Sequence, residues 1–190
     1  GNALAHDIES WNPAGESVVW VKVPVVNANS VANYIWMYYD NAQAIAAQNS
    51  ADVWNNDYAG VWHMATADDA SGQQNNANNQ GASPVTGAAG TAQFFDGDDF
   101  MVVPNSASLN LTNAMSFSAW IKVQDPAADN WGRILSKKEG FNDNSGFNFE
   151  YNAGQNFLTT LAGGQNLARA EGVDLPATWN LVSASINGNN

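Results

Sequence analysis

Cysteine is absent from the 190-residue chain, and six Lys and Arg face 18 Asp and Glu, for a formal net charge of -12. The missing cysteine excludes a disulfide framework, a thiolate nucleophile and a Cys-based zinc site. It does not assign a compartment, because exported bacterial proteins also avoid cysteine. The shortage of basic residues excludes nucleic acid as a partner, since affinity for a phosphate backbone comes from Lys and Arg displacing counterions. An anionic membrane surface is excluded on the same ground. No apolar run approaches the roughly 18 residues that a membrane span needs, so no membrane insertion is expected. The opening GNALAHDIES has neither a basic start nor an apolar stretch, so a signal peptide is not in this segment.

What is present is apolar and amide-rich. Hydrophobic residues make up 45% of the chain, with 8 Trp, which is too much for a disordered polymer and calls for a buried core. Asn occupies 27 positions, so neutral hydrogen-bonding groups do much of the work that charge does elsewhere. Residues 18–26 (VVWVKVPVV) alternate with period two and predict a strand that Pro24 brings to an end. Residues 31–39 (VANYIWMYY) predict a second strand across the turn at 27–30, making an antiparallel hairpin. Residues 40–52 are rich in Ala and Gln and read as one short helix or an extended connector. Residues 60–64 (GVWHM) read as a brief strand, and 66–80 as a polar surface loop.

Residues 91–103 (TAQFFDGDDFMVV) predict a hairpin turning at Asp96-Gly97. Residues 115–123 (MSFSAWIKV) are the cleanest alternation in the chain. Further strands are predicted at 133–136, 146–151, 156–161, 166–170 and 179–186. Short strands at about ten-residue spacing with little helix predict an all-β, antiparallel β-sandwich or barrel.

The strings GVWHM, DDASGQQNNANNQGA, AQFFDGDDFMVVPNSASLNL, MSFSAWIKV, RILSKK and ATWNLVSASINGN occur in an order that resembles the laminin G-like, concanavalin A-type jelly-roll domains of bacterial surface proteins. The match runs over residues 60–190. The front segment IESWNPAGESVVWVKVP resembles the last part of an uncharacterised surface module that accompanies such domains. The resemblance implies a division into 1–56, the end of that β-rich module, and 57–190, a jelly roll that looks truncated at its C-terminal end. It further implies either a piece of a longer surface protein or a subunit whose sheet a neighbouring chain completes.

Asp96, Asp98 and Asp99 are hard oxygen donors of the kind Ca²⁺ takes, though Asp-Gly is equally the chemistry of a plain turn. The resemblance implies calcium, and Asp68 and Asp69, which match the family's Asp-x-Ser-Gly loop, share both readings. Residues 139–145 place Asn142, Asp143 and Asn144 near Phe141, with Trp131 just upstream. A flat ring beside amides and a carboxylate is the composition of a glycan contact; an ordinary Asn-rich loop has the same composition. The other seven Trp read as packing residues. His6 and His63 are far apart with no triad spacing. Glu150 stands alone in NFEYN, without the Glu-x-Asp-x-x-Glu run of the related glucanases, so no enzyme activity is expected.

Two functions compete on these grounds. One is a noncatalytic, extracellular or cell-surface module that binds a glycan or glycoprotein, with Ca²⁺ as the possible cofactor. The other is a structural building block of a surface filament or matrix whose partners are copies of itself, joined by strand or edge pairing.

Overall fold

The computed structural model describes residues 2–55, 57–112, 114–125, 131–138, 146–155, 157–162 and 165–187, with the backbone alone at 161–162 and 165–167. It divides into two compact units, Gly1–Leu109 and Asn110–Asn190.

In the first unit, β1 (His6–Ser10) pairs antiparallel with β2 (Val18–Val21), with Asp7 opposite Trp20. The strand predicted at 18–26 is therefore shorter, and its partner is the segment before it. Residues 31–39 form no strand, and the hairpin predicted between 18–26 and 31–39 is absent. Val31, Tyr34, Trp36, Met37, Tyr38 and Tyr39 are exposed. Their composition suits a strand, but they pair with none of the described strands. The Ala/Gln-rich stretch is mostly without regular structure and ends in a single helical turn, α1 (Ser50–Val53), capped by the Asn49 side chain, which accepts from the Asp52 amide.

Residues 60–64 are not in a sheet. Beyond them β3 (Asn78–Gln80) pairs with β6 (Phe100–Val102), and β4 (Ser83–Thr86) pairs with β5 (Thr91–Phe94). The predicted strands at 91–103 thus exist, but they do not pair with each other across Asp96-Gly97. The two ladders are instead consecutive parts of one antiparallel arm that turns at 87–90, where Gly87 donates to the Gly90 carbonyl and Gly90 takes φ +75. Asp96-Gly97 lies in an outward excursion between β5 and β6. Gly81 opposes it at φ +100, and a Cβ there would collide with the Asp99 carboxylate.

The second unit bears out the predicted antiparallel sandwich. Strand β7 (Met115–Ile121) pairs with β12 (Asn180–Ile186) along seven registered positions. A four-stranded sheet has the order β11 (Gln165–Glu171), β10 (Phe157–Ala162), β9 (Phe147–Asn152), β8 (Trp131–Lys137), all antiparallel. Alternation in β7 sends Met115, Phe117, Ala119 and Ile121 to one side, where they meet Phe147, Phe149, Tyr151, Val182 and Ile186 from both sheets. The Tyr151 hydroxyl donates to the Val173 carbonyl and accepts from the Leu175 amide, both at 3.4 Å, tying the approach to β12 onto this core.

Candidate functional site on the outward face of the sheet

Strand β9 is buried at all six positions. Phe147, Phe149 and Tyr151 point into the core, so Asn148, Glu150 and Asn152 point outward by the period-two rule, yet they too are buried. Desolvated polar groups need partners. Arg133 Nε on β8 donates to Glu150 Oε1 at 2.9 Å, and the Gln155 amide donates to Asn152 Oδ1 at 2.8 Å. Thr159 on β10 donates to the Ala168 carbonyl at 3.1 Å. One donor is left over: Asn152 Nδ2 is buried and has no hydrogen-bond partner.

The sheet register arranges these groups in two cross-strand rows. One row is Arg133, Glu150, Thr159, Arg169; the next is Trp131, Asn152, Phe157, Glu171. Trp131 meets Phe157 edge-on with ring centroids 5.2 Å apart, and the Arg169 guanidinium carbon lies 3.6 Å from the Phe157 ring centre. Arg169 also pairs with Glu171 two residues on, at 2.6 Å. Phe157 is 1% exposed while Trp131 is 50% exposed, so Trp131 offers a ring to solvent above a buried aromatic. Polar, aromatic and guanidinium groups on one rigid sheet can grip a hydroxylated, flat-faced ligand by stacking and directional hydrogen bonds.

Of the ligand residues expected from sequence, Trp131 lies on this face. Phe141, Asn142, Asp143 and Asn144 fall outside the described residues. Arg133, Asn152 and Arg169 carry no signal in the sequence, and Glu150 is legible there only as a lone carboxylate in NFEYN. A strand buried on both faces shows no hydrophobic alternation, and the Arg133–Glu150 pair joins residues 17 positions apart across a register shift in β8.

The expected metal ligands separate into two kinds. Asp96, Asp98 and Asp99 come together, each presenting a carboxylate oxygen within 4.8 Å of the others. The negative charge of Asp99 and its hydrogen bond to Asp96, with smaller contributions from burial and Asp98, raise the Asp96 pKa above its ordinary 3.8. A divalent cation would relieve that repulsion, and hard carboxylate oxygens fit it. Asp69 is engaged otherwise. It accepts from the amides of Val61, Ser71 and Asn75 at 2.9 Å each and from the Ser71 hydroxyl at 2.8 Å, organising its own loop. Asp68 is bonded to Thr66.

A second polar cluster lies in the first unit, and sequence spacing gave no hint of it. Asp7, 3% exposed, accepts from the Ser50 hydroxyl and the Trp54 indole at 2.7 Å and faces His63 Nε2 at 2.8 Å. His63 Nδ1 faces Glu9, which also accepts from the Trp20 indole. Burial pushes the Asp7 pKa up, but the hydrogen bonds from Ser50, Trp54 and His63 and the His63 charge outweigh it and hold the carboxyl below its ordinary value. The cluster ties β1, α1 and the 60–64 segment together. A shallow cleft at the arm's tip, lined by Pro84, Val85, Thr86, Gly90 and Thr91, holds no ionisable group.

A family model described as a domain of unknown function (DUF2341) matches residues 1–81, in agreement with the module resemblance of the front segment. No curated protein and no solved structure matches the chain. Among the described residues no helix is long and apolar enough to cross a membrane. The antiparallel sandwich and the strings that build it agree with the second match, to residues 95–190, by which the chain belongs to the concanavalin A-like lectin/glucanases superfamily.

Proposed function

We propose that the chain is a noncatalytic carbohydrate-binding or adhesion module of an extracellular or surface protein, with the outward face of the four-stranded sheet as its glycan site. The observation that carries this reading is the row pair on that face. Trp131 presents a half-exposed ring, and beside it buried polar groups are fixed by the sheet register, with one donor, Asn152 Nδ2, unengaged. Residues 141–144 remain candidate contacts through their composition. Glycoside hydrolysis needs two carboxylates facing each other across the bond. Here Glu150 is tied to Arg133 and Glu171 to Arg169, which suits fixed acceptors better than proton exchange. Affinity electrophoresis through gels containing neutral and acidic polysaccharides tests the reading. Retention that Trp131→Ala abolishes, with no release of reducing ends, is expected; migration unaffected by every polymer contradicts it.

We further propose that Asp96, Asp98 and Asp99 bind Ca²⁺. Calorimetric titration with Ca²⁺ should give a signal that Asp98→Asn with Asp99→Asn removes. A wild-type titration without heat or proton release argues against it.

One observation favours the assembly reading as a second role. Residues 31–39 expose Val31, Tyr34, Ile35, Trp36, Met37, Tyr38 and Tyr39 outside any sheet, the composition of a segment that adds to a strand edge in another copy. Light scattering over a concentration series tests it: self-association weakened by Trp36→Ser is expected, and a monomer at every concentration contradicts it.

A further inference from the structure

We propose that the sheet face takes an anionic sugar, with Arg169 meeting its acid group; this rests on the carbohydrate-binding reading and narrows it to a ligand class. The chain contains two arginines in all, and both stand in one cross-strand row, at its two ends, on β8 and β11. Three strand spacings separate those ends, about 14 Å. In a protein of net charge -12 this row concentrates the guanidinium groups on one surface. Arginine's planar fork matches a carboxylate or sulfate with two parallel hydrogen bonds, which lysine's point charge does not.

The state of the other groups points the same way. The acceptors on the face are engaged: Glu150 by Arg133, and Asn152 Oδ1 by the Gln155 amide. The unengaged group is a donor, Asn152 Nδ2. That donor is sealed from solvent beneath the face, so the group open to a ligand acid is the exposed Arg169 guanidinium.

The two arginines are held differently. Glu150 is 4% exposed, so its pair with Arg133 is a fixed part of the floor. Arg169 and Glu171 are 43% and 66% exposed in their side chains, and an ion pair so open to water is weakly held. Stacking on Phe157 keeps the Arg169 guanidinium in place when Glu171 swings away. Glu171 thus acts as a placeholder that a ligand acid group replaces.

The test compares the wild-type chain, Arg169→Gln and Glu171→Gln by affinity electrophoresis against polygalacturonate, carrageenan and dextran, which offer carboxylates, sulfate esters and neither. The chain's own charge repels acidic polymers at long range, so their retention of it reports a local site. Retention by polygalacturonate, weakened about tenfold by Arg169→Gln, strengthened about threefold by Glu171→Gln and reduced by added salt, is expected. Retention by carrageenan instead, with the same response to both variants, supports the same acid-group chemistry with sulfate as its source. Retention by dextran at least as strong, indifferent to Arg169→Gln, overturns the anionic assignment while the carbohydrate reading stands. Retention by none of the three overturns both. Glu171→Gln removes a charge from an exposed side chain and keeps the test open if Arg169→Gln folds poorly.

Discussion

The two faces of the four-stranded sheet are built from the same strands and solve opposite problems. On β9, Phe147, Phe149 and Tyr151 face the β7/β12 pair and form the centre of the core, while Asn148, Glu150 and Asn152 on the reverse are just as buried and, among the described residues, are not part of an apolar cluster. Burying Phe is favourable by about 1.5–3 kcal/mol per side chain. Burying a carboxylate or an amide is unfavourable unless each hydrogen bond is replaced. The reverse face therefore does not hold the fold together as the inner one does. Its order comes from pairings that the register imposes, and it leaves one buried donor, Asn152 Nδ2, unmatched.

The sharpest way to separate the two faces is to truncate one residue on each. Phe149→Ala removes a side chain that is 1% exposed and should lower stability by about 3–5 kcal/mol in urea denaturation followed by fluorescence. Arg133→Gln leaves Glu150 buried without its charged partner and should cost about 1–3 kcal/mol, with Arg133→Gln plus Glu150→Gln recovering part of the loss. Stability unchanged by Arg133→Gln would show that the reverse face does not depend on the pair. Trp131→Ala should lower stability by only about 0.5–1.5 kcal/mol, the loss of its edge contact with Phe157, while reducing glycan affinity about tenfold, because half of the ring already faces solvent. A large stability loss there would make Trp131 a core residue and erase the distinction.

The smallest effect concerns the other buried carboxylate, which the first unit uses for cohesion. The folded-state pKa of Asp7 lies below its unfolded value near 3.8, so its contribution is complete above that value and is lost as pH falls through the lower, folded pKa. Acid titration of stability should show this decline, and Asp7→Asn should flatten it without altering glycan binding. An unchanged acid profile in Asp7→Asn would remove Asp7 from the account.

Those parts of the fold decided by local pattern were legible in the sequence. Residues 115–121 alternate because one side meets the core and the other carries Ser116, Ser118 and Trp120 outward, and the strands from 131 onward lie within a residue or two of their predicted places. Pairing was legible only where turn and ladder agree. The Asp96-Gly97 signal is a strong local one, yet β5 joins β4 because residues 83–86 offer a ladder on the other side of a tighter turn. Residues 31–39 have the composition of a strand, and composition cannot supply an edge. Within the site, Trp131 could be singled out because an aromatic in a polar stretch has no local packing reason. Asn152 and Arg169 could not, nor could the partner of Glu150, since their meaning lies in cross-strand rows. His63 meets Asp7 from 56 positions away, a distance no motif spans.

The central claim is that the outward sheet face is where a glycan binds, and amide NMR during titration with oligogalacturonate and, separately, cello-oligosaccharide tests it most directly. The account predicts that shifts from the binding sugar gather on the Trp131 indole and on the amides of β8, β9 and β11 around Arg133, Glu150 and Arg169, leaving the Asp7 cluster still. Shifts centred elsewhere, or none with either sugar, would contradict it.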